Sequence, residues 1–164
     1  MINQSGRRDR KRDLLALGAF LVVCFAVSAL GGAVTASSVG SWYQTLAKPS
    51  FNPPDWVFAP VWTLLYAMMG VAGWLVWRRG GAERRPALGL FVLQLVLNLG
   101  WSLIFFGARA IGAAFLEIGV LWLAILATLL VFYRIDRRAG LLLVPYLAWV
   151  SFATLLTGSL WVLN

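Results

Sequence analysis

Five long apolar runs, at residues 14–36, 56–77, 87–106, 111–133 and 139–163, leave this chain few folds to choose from. Each is near or above the ~20 residues that a helix needs to cross ~30 Å of hydrocarbon. In that solvent every backbone donor must be satisfied within its own segment, which continuous apolar runs achieve as helices and not as the short alternating strands of a barrel. Composition agrees: 61% of the residues are hydrophobic and 12% charged, where a soluble domain carries about a quarter charged. The expected fold is an all-α membrane protein, a bundle of five transmembrane helices over residues 14–164 behind a basic tail at residues 1–13.

The net charge of +8 would suit nucleic acid, but the cations are sorted by position. Arg7, Arg8, Arg10, Lys11 and Arg12 precede the first span, Arg78, Arg79, Arg84 and Arg85 follow the second, and Arg134, Arg137 and Arg138 follow the fourth. In a five-span topology all of these fall on one face, leaving Lys48 and Arg109 on the other. The excess of positive charge in cytoplasmic loops then places the N-terminus in the cytoplasm, of a bacterial cell membrane by expectation, and the loop at residues 42–55 outside. Nucleic acid is not an expected partner; the lipid bilayer is.

With no histidine and one cysteine, Cys24, the chain lacks the residues for an intrachain disulfide, the usual zinc sites and Ser-His-Asp or Cys-His catalysis. No metal is expected.

The connection between the first two spans is unlike a linker. WYQTLAKPSFNPPDWVFAPVWTLLY, residues 42–66, sets Trp42, Phe51, Trp56 and further rings among Pro49, Pro53, Pro54 and Pro60. Proline fixes its own φ and holds the preceding residue extended. Such a backbone loses little entropy on closing over a ligand, so the loop reads as a stiff aromatic lid formed by Trp42, Pro49, Phe51, Pro53, Pro54 and Trp56. An aromatic belt at the membrane surface is the other reading.

The spans add inward-facing stripes. Phe58, Trp62 and Tyr66 recur at i, i+4, i+8 in the second, and Gln94, Asn98, Trp101 and Phe105 share a face of the third. Polar residues in a span belong inside the bundle, as interhelical glue or as ligand contacts. Glu117 is the one acidic residue within a span, and Gln94 or Asn98 is its expected donor. Gly31, Gly32 and Ala33 suit close helix packing. In the fifth span Pro145, Trp149, Phe152, Ala153 and Leu156 lie on one face, where a large indole beside a small alanine makes a slot.

Three segments carry a resemblance: the 42–66 motif, QLVLNLGWSLIFFGAR and PYLAWVSFATLL, in this order and at these spacings. Together they resemble the translocator protein family, also called tryptophan-rich sensory proteins (TspO/MBR). The resemblance implies a five-helix bundle, usually a homodimer, that binds protoporphyrin-type tetrapyrroles under the loop after the first helix and needs no resident cofactor. It implies ligand contacts at Phe58, Trp62, Tyr66, Asn98, Trp101, Trp149, Ala153 and Leu156. Thr157 stands where the family usually has Asn, and Val162 where it often has Arg; the proposed sterol pattern, itself weak, is absent, so a sterol partner is doubtful. The expected function is a membrane sensor or regulator that binds porphyrin. Two alternatives stay open: a transporter, and a light-dependent porphyrin-degrading protein in which Trp62 and Trp149 donate electrons.

Overall fold

The computed structural model describes residues 4–164, with side chains from residue 10 onward. The part of the basic tail at residues 1–3, and the side chains of Arg7 and Arg8, lie outside the described residues. The elements are α1 (Gln4–Val39), α2 (Trp42–Thr45), α3 (Phe58–Arg79), α4 (Arg84–Ser102), α5 (Ile111–Ile135), α6 (Arg137–Leu142) and α7 (Val144–Leu163). A 3-10 turn, Asp55–Val57, leads into α3, and a π-helical segment, Leu103–Gly107, ends α4. Five stretches are long and apolar enough to cross a membrane: Arg10–Val39, Asp55–Arg79, Arg84–Gly107, Ile111–Ile135 and Arg137–Leu163. The chain is a multi-pass membrane protein.

Several boundaries differ from the sequence reading, each for a local reason. The basic tail does not stand apart from the first helix, because nothing between Gln4 and Leu14 breaks it. The inner connection expected at residues 134–138 contracts to Asp136. That residue leaves helical geometry (φ −146°, ψ 112°), and its carboxylate accepts from the Arg138 N–H at 2.9 Å, capping α6. Pro145 does not sit within a continuous fifth helix. It occupies the first turn of α7, after a break at Leu143, where a missing N–H costs no helical bond.

α1 and α3 touch most closely toward the end of the bundle that carries the Arg78 and Arg79 cluster. An added Cβ at Gly70 would lie 2.8 Å from Leu21 Cδ2, and one at Gly73 2.8 Å from Phe20 Cδ1. The core continues through Cys24, Met69, Phe91, Ile125, Phe132 and Tyr146. At that same end the Trp74 indole N–H donates to Asp13 at 3.1 Å, Arg12 lies 5.8 Å from the Trp77 ring, and Arg79 reaches Asp136 at 2.7 Å.

Asp136 ties α3 to the α5–α6 junction. Burial opposes its charge, but the hydrogen bonds from Arg79 and the Arg138 N–H, with the Arg79 charge, outweigh it and hold the carboxyl below its ordinary value. A depressed carboxyl stabilises the fold at neutral pH and loses that contribution as pH falls through the folded-state value. Asp136→Ala removes the cap and the ion pair. It is expected to cost about 1–2 kcal/mol at pH 7, mostly through the cap, since Arg79 is largely exposed. Thermal unfolding in detergent should show the variant approaching the parent as pH is lowered below the carboxylate range.

Candidate ligand cavity

The inward stripes meet at the end of the bundle opposite the Arg79–Asp136 pair. Phe58, Trp62 and Tyr66 on α3, Asn98 and Trp101 on α4, and Trp149, Ala153 and Leu156 on α7 all line one cavity of about 370 Å³. That volume lies in the range of small-molecule sites. The rings line it in three groups: Phe58 and Trp149 meet edge-on at 6.0 Å and Trp149 and Phe152 lie 5.5 Å apart, Trp62 is 5.7 Å from Tyr66, and Trp101 stacks on Phe105 at 5.1 Å.

The polar stripe of α4 sits at the base of this cavity as a closed network. Tyr66 donates its hydroxyl to Asn98 Oδ1 at 2.6 Å, Asn98 Nδ2 donates to the Tyr146 oxygen at 2.8 Å, and the Tyr146 hydroxyl donates to Gln94 Oε1 at 2.9 Å. All four side chains are buried. Satisfied in this way they fix the orientations of Tyr66 and Asn98, which border the cavity.

Glu117 is not joined to this network. The amide N–H groups expected to serve it point elsewhere, that of Asn98 to Tyr146 and that of Gln94 to Met69 Sδ at 3.9 Å, and both of its carboxyl oxygens are buried without a hydrogen-bond partner among the described residues. Its Oε1 lies over Gly100, 3.7 Å from where a Cβ would stand. Glu117 thus faces the α4–α5 seam and does not line the cavity. The hydroxyls of Thr154 and Thr157 bond back to their own helix at 2.8 Å, and Ser151 accepts from the Trp122 indole at 2.8 Å.

The loop covers the cavity through other residues than its prolines. Of Trp42, Pro49, Phe51, Pro53, Pro54 and Trp56, none lines the space; Tyr43 and Asp55 do. The prolines shape the backbone, while Trp56 is 75% and Phe51 50% exposed. Phe51 still meets Phe152 edge-on at 6.3 Å, and Trp42 meets Phe105 at 5.6 Å. Tyr43 is buried against Phe105 and Phe106 and donates to Asn52 Oδ1 at 2.7 Å. Burial, with the negative charge of Asp55, pushes its phenol up to about 12, so it remains a donor. Gln44 Nε2 donates to Asp55 at 2.7 Å, and Asn164 exchanges two bonds with Ala47, at 2.9 and 3.0 Å.

Two further features were not apparent from the residues alone. Gly31 and Gly32, expected to serve helix packing, line the cavity with Ser28, Thr35 and Ala36. A Cβ on Gly31 would stand 3.3 Å from Ser102 Oγ, so packing explains that glycine, but one on Gly32 would meet nothing within 4 Å. The charged residue on the wall is Asp55; Lys48 and Arg109 are not part of it and lie against the Tyr43 and Trp42 rings, at 4.8 and 6.0 Å. The run of small residues was the available signal for the α1 wall.

A membrane bundle of five spans, enclosing an aromatic cavity capped by its first long loop, defines a class of integral-membrane proteins with an internal pocket. The sequence matches the TspO/MBR family over residues 20–162, and the chain belongs to that family. It is 44% identical over 155 residues to the tryptophan-rich protein TspO of Chlorobaculum tepidum, covering 93% of this chain and 98% of that one. It is 37% identical over 152 residues to the TspO protein of Archaeoglobus fulgidus, covering 93% and 99%. With the human translocator protein it shares 44% identity over 123 residues, 73% of each chain.

Proposed function

We propose that this protein binds a flat, largely apolar tetrapyrrole of the protoporphyrin type in the cavity and acts as a membrane sensor or regulator. The observation that carries this reading is the convergence of Trp62, Trp101 and Trp149, from three different helices, on one apolar space. Rings at such separations offer a macrocycle both offset stacking and edge contacts. One relative, from Cereibacter sphaeroides, is called a tryptophan-rich sensory protein. Lys48, against the cavity-lining Tyr43 ring, is the loop cation able to meet a propionate that extends past that ring. The N-terminus is proposed to be cytoplasmic, so a reporter at Gly81 should read inside and one joined by a linker after Asn164 outside.

The test is titration of the purified protein with protoporphyrin in the dark, followed by fluorescence quenching, with Ala153→Leu beside the parent. The added methylenes fill the slot next to Trp149. Affinity should fall about tenfold, equivalent to ~1.4 kcal/mol, in a variant that unfolds within the ~1–3 kcal/mol that overpacking costs. Unchanged affinity in a folded Ala153→Leu protein removes α7 from the site.

A further inference from the structure

We infer that the ligand enters and leaves the cavity sideways, from the bilayer, through a gap between α1 and α3, and not past the loop. Gly32 and Ala36 on α1, and Ala59 and Thr63 on α3, line the cavity and are themselves exposed. A residue that is both wall and surface marks an opening. All four lie within the membrane-spanning stretches Arg10–Val39 and Asp55–Arg79, and Thr63 stands about 7.5 Å along α3 from Phe58 at 1.5 Å per residue.

The gap has the chemistry of a passage for a lipid-dissolved molecule. Its side chains are small, and a Cβ on Gly32 would meet nothing within 4 Å. The Thr63 hydroxyl donates to the Ala59 carbonyl at 2.8 Å and that of Thr35 to the Gly31 carbonyl at 2.9 Å. Both are satisfied within their own helices, so a ligand crossing the gap need not displace water from them. Farther along, α1 and α3 are closed by the contacts of Leu21 with Gly70 and Phe20 with Gly73. The opening is therefore bounded on that side.

The loop route is shut by comparison. Tyr43 is bonded to Asn52, Gln44 to Asp55, and Ala47 twice to Asn164, while the Ser38 hydroxyl ties the end of α1 to the Phe106 carbonyl at 2.8 Å. An anionic ligand on that side would also meet the Asp55 carboxylate. The sideways route deepens the proposed function and rests on it for the identity of the ligand: it selects molecules that partition into the bilayer.

The experiment compares rates in proteoliposomes, with protoporphyrin as the probe. A Gly32→Leu/Ala59→Leu protein should associate at least tenfold more slowly than the parent, with dissociation slowed as well, because a narrowed path delays both directions. Loosening the loop with Gln44→Ala/Asn164→Ala should leave association within twofold. Unchanged association in the first variant, or faster exchange in the second alone, overturns the route. Filling of the cavity without obstruction would instead speed dissociation at a constant association rate, and that outcome also overturns it. A parent that binds no protoporphyrin in the dark removes the ligand and not the opening. For that case an Ala59→Cys protein in a Cys24→Ala background, spin-labelled in bilayers, should collide more often with oxygen than with a water-soluble nickel chelate; the reverse order refutes a lipid-facing gap.

Discussion

Gly140→Ala is expected to destabilise this protein by about 3 kcal/mol or more, the upper part of the range for overpacking. The α5–α6 junction turns so sharply at Asp136 that Gly140 lies directly on the preceding helix. An added Cβ would stand 2.5 Å from Tyr133 Cβ, 2.6 Å from Tyr133 Cα and 2.8 Å from its nitrogen. These are backbone-proximal atoms, and no change of rotamer moves them. Relief requires α6 to shift, which would disturb the Arg79–Asp136 pair and the Asp136 cap. Gly119→Ala is the matched control: it lies within α5 and its Cβ would meet nothing within 4 Å. There alanine should be neutral or stabilising by up to ~1 kcal/mol, from helix propensity alone. Denaturation midpoints of the two variants in one detergent check the contrast, and equal midpoints would show that the junction tolerates the shift.

The second large effect is expected at Trp62 and Trp149. Both border the cavity, and their neighbours are rings: Tyr66 and Tyr146 around Trp62, Phe58 and Phe152 around Trp149. Replacing both by Phe keeps aromatic faces while removing area, two N–H groups and the more easily oxidised indoles. Dark binding of protoporphyrin should weaken by ~1–2 kcal/mol, taking each ring contact as about 0.5–1.5 kcal/mol beyond burial. Any light-dependent loss of the bound porphyrin should be abolished, because electron donation needs the indole. Fluorescence quenching in the dark and absorbance decay under illumination measure the two separately. Decay at the parental rate in the saturated double variant would exclude these tryptophans as donors, and parental affinity would move the ligand elsewhere.

The residues legible in the sequence were those set by helical periodicity. Phe58, Trp62 and Tyr66 recur at one angle on α3, as do Asn98 and Trp101 on α4 and Trp149, Ala153 and Leu156 on α7, and periodicity alone brings each set to one face. What periodicity does not carry is the choice between partners on that face. Glu117 was expected to draw an N–H from Gln94 or Asn98, but the Asn98 N–H goes to the Tyr146 hydroxyl and the Gln94 N–H to Met69 Sδ, because α7 presents Tyr146 between the two amides. The loop ring that faces the cavity was not legible for a related reason. A proline pattern reports backbone stiffness and not which neighbouring ring turns inward, and here it is Tyr43. The π segment was hidden too, since one residue inserted in a helix leaves no compositional mark.

No described residue of α5 reaches the cavity. Its inward face instead packs through Ala114, Ile118, Leu121 and Ile125, while Leu116, Val120, Leu123 and Leu130 point away from the bundle. Substitutions on that outer row can accumulate without touching the rings that line the cavity. The outward surface of α5 can therefore change independently of the cavity, so descendants of one ancestral pocket can differ in what surrounds the bundle while keeping the same pocket wall.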